Sequence, residues 1–345
     1  MKRALLPAAL IAALLLGAVL SQRPGPAPLS TIQIFALGTL VSITVAEDLG
    51  DTALVELEGR LRRRLEAFDT RWSVLREGDL GQLNAALAAQ PEAAVPAALR
   101  ADLRRASDWC QASDGRFDPA IGGWVRLWGF EDETRMRSTP PTAAEIAAAR
   151  APSWCAAQWS AAGERVRLPA AGARLNAGGF AKGQAVAELA AELRAAGVAN
   201  GIVNAGGDLV VLGRHPQRAW TIGVRDPREP GRETAVATLT LADGEALFSS
   251  GDYERYFEHA GQRYHHLLDP ATGRPARRAI SATVLDADPV LADAGATALF
   301  VAGPDEAAAV AAALGIEAWM LIDSQGERHA SPAIEARLRW RDAPG

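Results

Sequence analysis

The sequence predicts an α+β protein with antiparallel sheets and flanking helices, and three observations predict it. Strand-like stretches are joined by tight turns, as in "GIVNAGGDLVVLG" (residues 201–213), which reads as strand, turn, strand. Helical periodicity runs into a glycine and then a strand at Gly197 and again at Gly315, a recurrence that hints at duplication. The 345 residues are 49% hydrophobic and 22% charged, enough for a large core in two domains or one two-lobed domain.

Each element follows in order. Lys2 and Arg3 precede an apolar run (residues 4–20) and a polar exit, the pattern of a secretory signal over residues 1–22, either cleaved or kept as an anchor. Residues 23–30 form a proline-rich linker, and residues 31–345 the folded domain. "TIQIFALGTLVSITVA" (31–46) reads as a strand pair kinked at Gly38, and residues 52–68 as a helix. Its arginines (60–64) interleave with leucines at helical spacing and mark a solvated face. Polar, turn-rich sequence (73–84) precedes alanine-rich helices reaching about Cys110. Residues 113–130 form a loop dense in Gly, Pro and Trp, either functional or a tryptophan plug over the core. A glycine-rich entry leads into a helix over 176–197. Strands then alternate with turns from Trp220 to Val284, helices cover 291–303 and 304–315, and residues 316–323 make the last strand.

Net charge is −5, and the chain has no Lys/Arg run long enough to track a nucleic-acid backbone. No cysteine follows the apolar run, so no lipid-bearing cysteine is expected there. Cys110 and Cys155 either pair in an oxidising compartment or stay as free buried thiols.

Three stretches carry residues suited to chemistry. In "ADAGATAL" (292–299), Asp293 and Thr297 stand four apart and share a helix face. A carboxylate and a hydroxyl are hard ligands that suit Mg²⁺; alternatively, Asp293 answers the helix dipole and Thr297 packs on the preceding turn. "NAGGFAKG" (176–183) sets free backbone N–H groups and Lys182 at a helix start, either a phosphate site or a flexible cap. "YHHLLDPATGRP" (264–275) holds adjacent histidines, which point to opposite faces of an extended segment, so only one can serve a given pocket. Such a histidine beside an Asp-Pro turn is placed to act as a general base, or is structural.

In order, "GGFAKG", "VNAGGDL", "SSGDYERYF", "YHHLLDPATGRP" and "LADAGATAL" make the chain resemble the FAD:protein FMN transferases, the ApbE family. The resemblance extends upstream through "FDPAIGGWVRLWGF" and "FALGT". It implies a T-fold-like, two-lobed domain and an extracytoplasmic, Mg²⁺-dependent enzyme. Such an enzyme splits FAD, releases AMP and attaches FMN by a phosphoester to a threonine of a client flavoprotein in a redox membrane complex. By the same resemblance Asp293, Thr297 and the Gly179 carbonyl hold the metal. Leu37, Leu75, Arg116, Phe117, Asp118, Asn176, Lys182 and Leu267 fall where the family contacts FAD, and His266, not His265, is the base. The chain departs from the family pattern at Leu37, Leu75 and Asn176, where Met, an aromatic and Asp are common. An FAD pyrophosphatase, or a non-catalytic periplasmic flavin-binding protein, would use the same inventory.

Overall fold

The computed structural model describes residues 29–341, apart from residue 76 and residues 230–233. The expected targeting segment and the linker up to residue 28 lie outside the described residues. Among the described residues no helix is long and apolar enough to cross a membrane.

Strands β1 (Ser30–Ala36) and β2 (Thr39–Val45) form the expected pair. The kink at Gly38 is a hairpin turn: Leu37 and Gly38 both take the left-handed region, at φ 57° and 70°, as two-residue hairpins of this hand require. Helix α1 (Gly50–Trp72) buries Leu57, Leu61, Leu65, Phe68 and Trp72, a stripe at three- and four-residue spacing. Its arginine face is solvated at Arg62, Arg63 and Arg64, as predicted, and also carries ties to a later helix. Arg60 and Arg64 reach Glu192, and Arg71 pairs with Glu188, so the face also docks a later helix.

Helix α2 (Asp79–Ala89) begins inside the stretch predicted as turns, and β3 (Glu92–Ala94) and α3 (Arg100–Ala112) follow. The predicted loop over 113–130 contains a short helix, α4 (Gly122–Trp128). Trp124, Trp128 and Phe130 pack with Ile146, Phe257 and Leu268 in a cluster of their own. Helix α5 (Ala143–Ala148) leads to β4 (Gln158–Trp159) and β5 (Arg165–Arg167), which join β3 in a small sheet ordered β3-β5-β4. Cys110 and Cys155 are joined as a disulfide, with Cα atoms 5.0 Å apart, which decides between the two alternatives left by the sequence.

The second half runs α6 (Ala181–Ala195), β6 (Gly201–Ala205), β7 (Asp208–Leu212), β8 (Trp220–Arg225), β9 (Ala235–Leu241) and β10 (Ala246–Gly251). Two short hairpins follow, β11 (Tyr256–His259) with β12 (Gln262–His265), and β13 (Leu268–Asp269) with β14 (Arg274–Pro275). Then come β15 (Ala279–Asp286), α7 (Pro289–Ala302), α8 (Ala307–Leu314) and β16 (Ala318–Asp323). Strand β16 is not the last: β17 (Arg328–Ala330), helix α9 (Pro332–Glu335) and β18 (Arg339–Trp340) extend the chain.

The fold is α+β, as predicted. One antiparallel sheet of eight strands runs β1-β2-β6-β7-β10-β15-β16-β17. Alternation splits its residues between two cores. Val203, Val210, Phe248 and Val284 face helices α1, α6 and α7. Leu209, Val211, Leu247 and Leu285 face the small sheet β18-β9-β8 through Trp220, Val224 and Leu239. Gly197 and Gly315, at φ 84° and 76°, each end a helix before a strand of the same large sheet.

Candidate active site

A cleft of about 470 Å³ opens where the entry to α6, the start of α7, the 113–121 loop and the β1–β2 turn converge. Each residue singled out above lines it: Leu37, Leu75, Arg116, Phe117, Asp118, Asn176, Gly179, Lys182, His266, Leu267, Asp293 and Thr297. These positions span much of the chain, so the fold and not proximity in sequence assembles them.

Helices α6 and α7 set the charged end. A Cβ on Gly183 would lie 2.3 Å from the Pro289 carbonyl oxygen, so glycine lets the two helices cross in contact there. The close crossing brings the Gly183 N–H to Asp293 Oδ2 at 2.8 Å. Burial pushes Asp293 up to about 7, against the pull of the Lys182 charge. Thr297 Oγ1 lies 3.3 Å from Ser250 Oγ. Gly179 approaches the same hydroxyl so closely that its Cβ would stand 3.4 Å from it. A buried carboxylate, a hydroxyl and the adjoining Gly179 main chain form an all-oxygen donor set whose chemistry fits Mg²⁺.

Lys182 brings a positive charge to the cleft. It pairs with Asp208, and Glu254 stands 3.8 Å away. Burial opposes its charge, but the carboxylates of Asp208, Glu254 and Asp293 outweigh that cost and hold its pKa above the usual lysine range. Burial likewise raises Glu254. Asp208 and Glu254 are residues that sequence reasoning missed as parts of the site. They stand in "VNAGGDL" and "SSGDYERYF", so the signal was a carboxylate at a glycine turn within each motif.

The histidines part as alternation requires. His265 ends β12 and turns into the core, 5.4 Å from the Phe300 ring, with Nε2 donating to the Ala276 carbonyl at 2.8 Å. Its Nδ1 is buried without a partner, and burial pushes the ring down to about 4. His266 faces the cleft instead. Its Nδ1 lies 3.3 Å from the Arg255 carbonyl, which can only accept, so that nitrogen carries the proton and Nε2 keeps the lone pair. Burial first, then the charge of Arg255, holds His266 well below the ordinary histidine range.

The remaining walls are held from below. Asp118 Oδ1 accepts from the N–H groups of Ala120 and Trp154 at 2.8 and 3.1 Å, so its carboxylate braces the loop. Asn176 spends its side-chain oxygen on the Gly178 N–H at 2.8 Å, while its own N–H donates to the Pro119 carbonyl. Arg116 is tied to Glu306 at 2.7 Å. Phe117 packs edge-on against Trp109 and Phe180. Leu75 lies 56% exposed at the rim, and Leu37 reaches it from the hairpin turn. Trp72, also in the lining, has an indole N–H buried without a partner, a donor the sequence reading missed. Large pockets with an apolar wall and a few convergent polar groups are the usual form of a small-molecule site.

Known proteins resemble this chain in sequence and fold. The ApbE family profile matches residues 37–320. A FAD:protein FMN transferase of Rhodobacter capsulatus is 36% identical over 337 residues, covering 96% of this chain and 62% of that protein. The chain thus spans under two thirds of that relative's length. A FAD:protein FMN transferase of Vibrio cholerae is 30% identical, covering 88% of this chain and 90% of that one. Among solved structures, the ApbE protein of Thermotoga maritima superposes with a TM-score of 0.79 at 29% identity, over 90% of this chain and all of that one. The apo flavinyl transferase ApbE of Pseudomonas stutzeri gives 0.76 at 28% identity, over 90% and 96%. With its profile matched over most of its length, and four of the five motifs lining the cleft while the fifth supplies Asp208 to Lys182, this chain belongs to the ApbE family.

Proposed function

We propose that the cleft binds FAD and that the protein transfers its FMN portion to a threonine of a client flavoprotein, with release of AMP. The observation that carries this reading is the convergence of Asp293, Thr297, Lys182 and His266 on one cleft that also has apolar walls. Asp293, Thr297 and the Gly179 carbonyl would hold Mg²⁺, which would supply charge neutralisation at the pyrophosphate. Lys182, kept charged by Asp208 and Glu254, binds the same phosphates. Phe117 and Leu267 give the walls that exclude water. His266 Nε2 accepts the proton of the acceptor hydroxyl, a weak nucleophile that needs a positioned base. The new bond joins that oxygen to the FMN phosphorus. The bond to the bridging oxygen breaks, and its electron pair leaves with AMP.

The protein would act outside the cytoplasm. The Cys110–Cys155 disulfide supports this, since cytosolic thiols are kept reduced, and so does the charged-then-apolar N-terminus.

Incubation of the protein with FAD, Mg²⁺ and threonine-bearing protein, with and without EDTA, tests the proposal. Transfer predicts AMP release and a covalent FMN adduct, both abolished by EDTA. Free FMN with no adduct would mean hydrolysis, and tightly held FAD with no AMP would mean a binding protein.

A further inference from the structure

A second cavity, of about 350 Å³, shares Ser249 and Glu254 with the flavin cleft as a common wall. It exists because the large sheet parts. Strands β7 and β10 pair only at Leu209 with Leu247 and Val210 with Ala246. Beyond that point β10 continues to Gly251 with β15 on one side only. The Ser249 N–H, left without a strand partner, donates to the Asp208 carboxylate at 2.8 Å.

Strand β8 bounds the cavity on its far side and is the edge of its sheet, paired among the described residues with β9 alone. All of Thr221, Ile222, Gly223, Val224 and Arg225 line the space. Successive strand residues face opposite ways, so an unbroken run of five meets one cavity only along the strand's edge. The Gly206–Gly207 turn also lines it, with the Arg225 guanidinium donating to the Gly206 carbonyl at 3.4 Å. A slot walled by an unpaired strand edge suits an extended polypeptide, which adds as a further strand.

The slot's position selects the polypeptide. It meets the cleft at Glu254 and Asp208, the two carboxylates that hold Lys182, which is the phosphate end and not the apolar rim at Leu75. We propose that the slot receives the acceptor: an extended segment of the client pairs with the edge of β8 and passes its hydroxyl side chain over Glu254 to the phosphorus of bound FAD. This inference rests on the transfer reading above.

The test uses the wild-type enzyme with FAD, Mg²⁺ and a pool of short peptides bearing one central threonine and mixed flanks. Labelled peptides are identified by mass and remade with alternate backbone amides N-methylated. Strand pairing predicts a two-residue period: methylating one alternate set lowers labelling roughly tenfold, and methylating the other changes it little. Thr221→Trp, an exposed position that plugs the slot, should raise the peptide KM by a similar factor and leave the FAD KM alone. Equal labelling of both methylated sets, or an unchanged peptide KM in Thr221→Trp, overturns the slot while transfer stands. AMP release by the wild type with no peptide labelled overturns transfer itself and removes the slot's occupant with it.

Discussion

At the scale of single residues, the two adjacent histidines divide structure from chemistry. His266→Ala should keep FAD binding and lose about 10²- to 10⁴-fold in transfer rate, the usual worth of one general base. His265→Ala should do the opposite. It opens a hole beside Phe300 and strands the Ala276 carbonyl, costing about 2–4 kcal/mol in denaturant unfolding, with kcat preserved. The pH profile follows from the depressed His266 value. An ordinary imidazole would lose half its base near pH 6.5, but His266 binds its proton only well below that. As pH falls, kcat/KM at saturating Mg²⁺ should therefore hold through pH 6.5 and drop only at lower pH; a midpoint at 6.5 would show a solvated ring. Much of the site was legible at this scale, because Asp293, Thr297, Lys182 and His266 each stand in a local pattern with a chemical reason. Asp208 and Glu254 were not. A carboxylate at a glycine turn is ordinary until the fold shows that a buried lysine lies against it.

At the scale of elements, long amphipathic segments were readable and short ones were not. Helix α1 announces itself through five buried residues at helical spacing, and β1, β2, β6 and β7 through alternation around a turn. Strands β3, β4 and β5, of two or three residues, are too brief to show a period of two. Helix α4 was concealed by its Gly122-Gly123 start. Gly122 serves tertiary contact, since its Cβ would stand 2.5 Å from the Arg174 carbonyl oxygen, and so it lowers helix propensity for a reason outside the segment. Gly183 shows the same principle within the site, holding α6 against the start of α7. Gly183→Ala would drive a methyl into the Pro289 carbonyl, and relief requires the helices to separate. Since Asp293 is anchored by the Gly183 N–H, the shift should loosen the proposed metal site as well as the fold. The expected result is a stability loss of about 1–3 kcal/mol with weaker Mg²⁺ binding by calorimetry. Full stability with unchanged Mg²⁺ affinity would count against this account of the crossing.

At the scale of the whole molecule, the cleft lies where distant parts of the chain meet, so its geometry depends on ties that span long stretches. The Cys110–Cys155 bridge is the clearest, closing a loop across a sequence separation of 45 residues. Cys110 ends the buried face of α3, and Cys155 stands beside Trp154, whose N–H donates to Asp118 in the cleft-lining loop. The Gly115 Cβ position lies 3.8 Å from Cys155 Sγ, directly before Arg116 and Phe117. The disulfide therefore restrains the unfolded chain and also braces one wall of the cleft. A loop of this length should contribute about 4 kcal/mol if the chain-entropy account holds. Reduction with a phosphine, or the double change of Cys110 and Cys155 to serine, should lower the denaturant midpoint by a corresponding amount. FAD affinity should fall with it while the mutant is still folded, because the Arg116–Asp118 wall loses its brace. A reduced protein that binds FAD as tightly as the oxidised one would show that this wall is held by Asp118 and Glu306 without the bridge.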